Sequence, residues 1–219
     1  MRLMIGSLNL KVSEAFSNYE RYKFEKGQVL ISPDQEPNCV YQISSGFVRQ
    51  FFLSQKGSDL TIHIFKPGDF FPLMWAVGEI PNSYTYEAIT QIELIKIPRE
   101  QTLEFLKKDP ENLIQIIQSL YAALSGILFR LESQVFETSD RRVASTLLLL
   151  AKDFGNEKRG EVKINLKFTH NDIGKIAGLV RETTSLEIEK LIKEGVIKYE
   201  GRYLKIRNLN KLRSKASVV

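Results

Sequence analysis

A chain of 219 residues is long enough for two domains, each with its own core. Its net charge of +5 is unevenly placed: Arg141 to Val219 holds 18 Lys and Arg against 9 Asp and Glu, while Met1 to Asp140 carries a net of −4, so the C-terminal part suits a polyanionic partner. One cysteine, Cys39, excludes an internal disulfide and a cysteine-rich metal site, so no cofactor is expected.

The opening MRLMIGSLNLKVSEAF lacks the apolar core of a secretory leader, which predicts a cytoplasmic protein. From Tyr19 to Pro98 the chain reads as short strands. Turn signals stand at Lys26-Gly27, Ser45-Gly46, Lys56-Gly57 and Pro67-Gly68-Asp69. The strands fall at Gln28 to Ile31, Val40 to Ile43, Phe47 to Leu53, Leu60 to Phe65 and Tyr84 to Ile97. Leu60, Ile62 and Ile64 alternate with Thr61, His63 and Phe65, the period of a strand. Many short strands with glycine turns predict an antiparallel roll or barrel. Phe70, Phe71, Met74, Trp75, Tyr84 and Tyr86 either fill that roll or line a pocket for an uncharged or aromatic effector. His63 reads as a surface or satisfied histidine rather than a haem ligand.

A short helix is predicted from Arg99 to Leu106, then a long one from about Glu111 to Glu137. Leu113, Ile117, Leu120, Leu124, Ile127 and Leu131 follow each other at spacings of 4, 3, 4, 3 and 4, an a/d seam that needs a partner. The economical partner is the same helix of a second copy, so the chain is expected to be a homodimer. Ala123, Ser125 and Gly126 would let two such helices approach closely. The uncharged run from Asn112 to Phe129 is also long enough to span a membrane. Gln115, Gln118, Ser119, Ser125 and Gly126 make it a poor hydrocarbon segment, and no membrane partner is expected.

Thr138-Ser139-Asp140 is a polar break, taken as the domain hinge, before a helix from Arg141 to Phe154. Asp153 to Lys163 reads as a charged loop, and Lys211 to Val219 as a loose tail. Between them lies FTHNDIGKIAGLVRETTSLEIEKL, Phe168 to Leu191. Thr169 with Asp172 three residues on is a helix start of the capping-box kind. Ile173, Ile176 and Ala177 recur at helical spacing, Gly178 breaks the run, and a second helix begins near Val180. That is a helix-turn-helix, with Arg181, Glu182, Thr183 and Ser185 at the start of its second helix. Arg181 can donate twice to guanine O6 and N7, Glu182 can accept from cytosine N4, and Thr169 and Thr183 can hold phosphates. After Gly195, Val196 to Tyr199 and Tyr203 to Ile206 read as a two-stranded wing.

IGKIAGLVRETTSLEIEKL followed by EGVIKYEGRYLKI resembles the DNA-binding half of the cyclic-AMP receptor protein and fumarate-nitrate reduction regulator family of bacterial transcription factors. FEKGQVL, YQISSGFVRQ and HIFKPGDFF are similar to that family's sensory roll, so the resemblance runs from about Tyr19 to Leu209. It implies an α+β chain: an N-terminal antiparallel β-roll of the cyclic-nucleotide-binding, jelly-roll kind, a dimerisation helix and a C-terminal winged helix-turn-helix. The expected limits are 1–110, 111–137 and 138–219. The resemblance adds His170, Gly201 and Arg202 as phosphate-positioning candidates, and makes the 153–163 loop a candidate contact for RNA polymerase. Three departures stand out. Leu186 occupies a position where many members carry a guanine-reading arginine; leucine can touch only a thymine methyl. Pro72-Leu73 replaces the Gly-Glu pair that holds a cyclic nucleotide's ribose, and no arginine lies between Arg49 and Arg99 to take its phosphate. The iron–sulfur cysteines of some members are missing.

The expectation is therefore a homodimeric, non-enzymatic regulator that binds double-stranded DNA at a palindrome and is not controlled by cyclic AMP, its effector unnamed. Two alternatives stay open: a sensory subunit that never touches DNA, and an enzyme on a cupin-like barrel. The second would need clustered histidines, whereas His63 and His170 fall in different predicted domains.

Overall fold

Two antiparallel sheets close on each other across an apolar layer in the N-terminal half. Their strands are β1 (Arg21–Phe24), β2 (Val29–Ile31), β3 (Cys39–Ser45), β4 (Val48–Leu53), β5 (Asp59–Phe65), β6 (Phe70–Phe71), β7 (Thr85–Ala88) and β8 (Ile92–Pro98). One sheet runs β1-β8-β3-β6 and the other β2-β7-β4-β5. This is a computed structural model; it describes residues 16, 18–33, 35–55, 57–108, 110–158 and 160–216. Residues 1–15 of the expected first domain, and 217–219 of the expected tail, lie outside the described residues. The chain forms two compact units that divide between Leu124 and Ser125.

The roll is built as the alternation and turns dictate, with three corrections, one of them the short strand β6, which lies outside the predicted set. A first strand, β1, precedes the predicted set and pairs with β8. The single run expected from Tyr84 to Ile97 is two strands, β7 and β8, in different sheets. The bend between them is held from outside: the Ile89 amide donates to the Phe47 carbonyl at 3.0 Å, and the Phe47 amide donates to the Thr90 hydroxyl at 2.9 Å. Gly46 makes this approach possible, since a Cβ there would collide with the Gln91 carbonyl oxygen. In β5 the side chains of Thr61, His63 and Phe65 are buried, while Leu60 and Ile62 are half-buried on the other face.

Between the sheets pack Ile31, Ile43, Val48, Phe65, Phe71, Tyr86, Ala88, Ile92 and Leu94. Phe71 and Tyr86 are stacked there with ring centroids 5.2 Å apart, and Tyr84 flanks them. Phe70 belongs to a second cluster with Phe16, Val40, Ala76, Ile95 and Ile97, against which Trp75 is partly buried. Met74, on the short helix α1 (Leu73–Ala76), is exposed. The six residues expected together at an effector pocket thus divide between two packed clusters and solvent. A groove of about 530 Å³ borders Trp75, but its other walls are Pro33, Gln35, Glu36, Glu79, Pro81, Asn82 and Arg99.

Helices α2 (Arg99–Lys108) and α3 (Pro110–Phe136) follow. On α3 the predicted seam is bare: the exposure of its six residues runs from 39% at Leu113 to 60% at Leu120. Ile114, Tyr121, Leu128 and Val135, each one heptad apart, are exposed beside it. By length and composition alone, Pro110–Glu132 could cross a membrane.

The C-terminal unit contains α4 (Ser139–Phe154), β9 (Gly155–Lys158), β10 (Glu161–Ile164), α5 (His170–Ala177), α6 (Arg181–Lys193), β11 (Ile197–Glu200), β12 (Tyr203–Ile206) and α7 (Leu209–Lys215). Its sheet runs β11-β12-β10-β9, all antiparallel. Helix α4 is its central post and touches α5, α6 and α7. Two sequence expectations are corrected here. The charged stretch read as a loop carries the β9–β10 hairpin, and the tail carries α7. That helix is capped by the Asn208 side chain, which accepts from the Lys211 amide at 2.8 Å.

Candidate nucleic-acid interface

The first helix of the pair, α5, starts as its spacing demands. The Thr169 hydroxyl accepts from the Asp172 amide at 3.1 Å, and Asp172 Oδ2 accepts from the Thr169 amide at 2.8 Å, a closed capping box. The same carboxylate also accepts from the Thr169 hydroxyl at 2.7 Å. Both donors of Thr169 are thereby committed to Asp172, so a phosphate contact from this residue would require the cap to open. Helix α5 ends on Gly178, whose φ of 67° is left-handed backbone open to glycine and strained for other residues. The turn closes as the Leu179 amide donates to the Gly174 carbonyl at 2.9 Å.

The second helix, α6, has one buried stripe, Thr184, Glu187, Ile188 and Leu191. The opposite side bears Glu182, Leu186 and Glu189 in solvent, and Arg181, beside the stripe at the helix start, is also exposed. Thr183 and Ser185 are half-buried. Leu186, 60% exposed, is an apolar side chain standing free among charged ones. Val180 precedes the helix as its N-cap, also exposed, and offers no side-chain acceptor to the first turn, so the leading amides are free to meet an anion.

Ser185 and His170 meet each other: Ser185 Oγ lies 2.9 Å from His170 Nδ1. This bond ties the start of α5 to α6, and the His170 ring lies 6.0 Å from that of Tyr199 on β11. Burial pushes the Tyr199 phenol up from its ordinary pKa. The wing turns at Gly201, φ 64°, and both Gly201 and Arg202 are exposed at its tip. Glu200, which faces the same tip, is answered by cations: Lys163 Nζ at 3.3 Å and Lys205 Nζ at 3.8 Å. The hydrogen bond from Lys163, then the nearby lysine charges, hold its carboxyl below the usual range.

Three residues escape a reading of the local sequence. Arg142 of α4 donates from Nε to the Ala177 carbonyl at 3.1 Å, and from Nη2 to the Ala177 and Gly178 carbonyls at 2.5 and 2.7 Å. Burial lowers its pKa, while Glu137 opposes that shift. Glu187, on the buried side of α6, accepts from Lys190 Nζ at 3.0 Å and from the Ser139 hydroxyl at 3.2 Å. No motif predicts the bonds of Arg142 and Ser139, because their partners across the fold are 35 to 48 residues away.

A solvent-facing helix start, a tight turn and a wing, in the half that carries the positive charge, form a surface suited to duplex DNA. Family comparisons agree with this geometry. Residues 21–109 match the cyclic nucleotide-binding domain and residues 141–215 the Crp-like helix-turn-helix domain. The chain is 30% identical over 182 residues to the transcriptional regulator SdrP of Thermus thermophilus, covering 82% of this chain and 85% of that protein. It is 24% identical over 193 residues to a CRP-like cAMP-activated global transcriptional regulator of Mycobacterium tuberculosis, covering 88% and 86%. Among solved structures, a CooA variant from Carboxydothermus hydrogenoformans shares the fold with a TM-score of 0.82 at 21% identity, over 97% of this chain and 98% of that one. A CRP/FNR-family transcriptional regulator from Thermus thermophilus gives 0.72 at 28% identity, over 91% and 99%. The chain belongs to the cyclic-AMP receptor protein and fumarate-nitrate regulator (CRP/FNR) family of helix-turn-helix transcriptional regulators, and it is not an enzyme.

Proposed function

We propose that two copies of this chain pair through α3 and bind a two-fold symmetric operator. The two recognition helices then enter successive major grooves about 34 Å apart. The observation that carries this reading is the start of α6, where Arg181 and Glu182 stand free in solvent beside an uncapped helix end. Arg181 reads a guanine, Glu182 a cytosine, and Leu186 a thymine methyl. Thr183, Gly201 and Arg202 lie against phosphates. His170 and Ser185 brace the two helices and reach the backbone from there, while Thr169 serves first as the cap.

Pairing is supported by the bare stripe of Leu113, Ile117, Leu120, Leu124, Ile127 and Leu131, an apolar surface too continuous for a solvated helix. A second copy covers it better than lipid does, given the polar residues within it. The working partition is a roll over 1–110, a dimerisation helix over 111–137 and a DNA-binding domain over 138–219, in the cytoplasm. The β9–β10 hairpin, with Glu157 and Lys158 exposed, is the proposed contact for RNA polymerase.

Control by cyclic AMP is not part of this reading. Pro72 and Leu73 supply no carboxylate for a ribose. Asn82, in the segment that would face a phosphate, is engaged with the Ser32 and Tyr84 carbonyls at 3.0 and 2.8 Å. Arg99 donates to the Ala76 carbonyl and pairs with Glu79 at 2.8 Å. Burying a cyclic phosphate without a free cation is unfavourable. Sedimentation of the purified protein with a preferred duplex tests the main reading: two chains per duplex are expected, and one chain per duplex would contradict it. Calorimetry with cyclic AMP should show no micromolar binding; tight binding would refute the second part.

A further inference from the structure

We propose that Arg142 is a positioning residue for operator recognition: its guanidinium clamps the turn of the helix-turn-helix and so sets the angle at which α6 is presented. This rests on the reading of α6 as the recognition helix.

The last carbonyls of α5 have no donors within their own helix, and a helix C-terminus carries partial negative charge. Arg142 answers both needs at once, with three hydrogen bonds onto Ala177 and Gly178. The planar fork of arginine suits two adjacent carbonyls; a lysine ammonium, a single compact charge, cannot reproduce it. Gly178 supplies the left-handed φ of the turn and lets two side-chain ends come close to it. A Cβ there would lie 2.7 Å from Arg142 Nη2 and 2.9 Å from Gln134 Nε2. The end of α3, through Gln134, and the start of α4, through Arg142, therefore converge on the turn.

A second tie lies three residues earlier on α4, where the Ser139 hydroxyl donates to the buried Glu187 of α6. From its own side α6 holds the turn through the buried Thr184 hydroxyl, which donates to the Val180 carbonyl at 3.0 Å, but Val180 provides no side-chain cap, so the Ala177 and Gly178 carbonyls are held by Arg142. Arg181 begins α6 only three residues after Gly178, so a tilt of the turn displaces the base-reading side chains directly. Paired hydrogen bonds to a base edge weaken steeply with angle. A direct phosphate contact explains Arg142 less well, since its Nε and Nη2 already face inward onto carbonyls.

The test compares wild type, Arg142→Lys, Arg142→Met and Ser139→Ala by fluorescence anisotropy, on a duplex enriched by the wild-type protein and on a scrambled duplex, across a salt series. Thermal melting is followed in parallel. Arg142→Lys should lose about tenfold of the preference for the enriched duplex, with the salt slope and scrambled-duplex affinity unchanged. Arg142→Met should lose at least as much, and Ser139→Ala less, in the same direction. If Arg142→Met melts too low to assay, Arg142→Lys and Ser139→Ala carry the comparison. A salt slope shallower by about one in Arg142→Met, with the preference intact, would make Arg142 a phosphate contact and overturn the proposal. A full preference retained in Arg142→Lys would also overturn it, leaving the functional reading standing. A wild-type protein without preference for any duplex would instead overturn both.

Discussion

Arg181 and Arg202 carry the same charge and should fail differently when removed. Arg181 opens α6, and its guanidinium is the proposed reader of one guanine. Arg181→Ala should lower affinity by about 1–3 kcal/mol and relax the preference at one base pair. Arg202, at the wing tip, should matter equally for every sequence: Arg202→Ala weakens all duplexes alike and makes the salt slope shallower by about one. Anisotropy titrations on matched and mismatched duplexes separate the two, and identical behaviour would refute the division of roles. In the roll, Asp69 is buried, and desolvation pushes its carboxyl up to about 7 from 3.8. The folded chain then keeps a proton that the unfolded chain releases, so this group's share of stability is full below about pH 4 and is lost as pH rises toward 7. Asp69→Asn keeps an acceptor for the Lys66 amide and removes the titration. It should stabilise the fold near neutral pH by about 2–4 kcal/mol and little at pH 4, read from melting curves. A variant curve parallel to wild type would contradict the assigned shift. At this scale the sequence is legible where partners are close: Thr169 and Asp172 of the capping box are three positions apart and could be read from spacing. Arg142 could not, because its bonds depend on the fold bringing α4 to the end of α5.

Elements were legible in proportion to their length and periodicity. The long helix expected from about Glu111 to Glu137 is observed as Pro110–Phe136, and the two helices around Gly178 fall within a residue of their signals. Short elements were not. The β9–β10 hairpin, with four residues per strand, is mostly charged and shows little alternation. Helix α7 is equally hard to see, although Asn208 is a local cap that could have announced it. The split between β7 and β8 has no glycine or proline to mark it; its bend is set by Phe47 from another part of the chain. The pairing of α3 can be broken at a single position. Leu124→Asp places a charge in the middle of the seam, and a coiled pairing should not tolerate two such charges facing each other. The variant should sediment as a monomer and lose operator binding by at least about tenfold, while keeping its helical content. A folded monomer with undiminished operator affinity would refute pairing through this face.

At the scale of the molecule, the strongest sequence signal was the contrast between an acidic N-terminal part and a basic C-terminal part, and the helix-turn-helix lies in the basic part. The roll was legible as a class from its glycine turns; four of those glycines, Gly27, Gly46, Gly57 and Gly68, have positive φ. Its interior was less legible, because aromatic residues near one another in sequence alternate between faces. Phe70 and Phe71 are consecutive, and they enter different clusters. The aromatic run thus supplies core on both sides of a sheet, and of its members Trp75 borders the groove beside Pro33 and Arg99. Sequence-specific binding by a symmetric pair through the start of α6 makes a direct demand on the DNA it selects. The experiment is selection of a random duplex library on purified, ligand-free protein, with Arg181→Ala alongside. The expected result is a two-fold symmetric motif containing a G·C pair in each half-site that the variant no longer selects. Retention that is weak, salt-sensitive and blind to sequence in both proteins would contradict it.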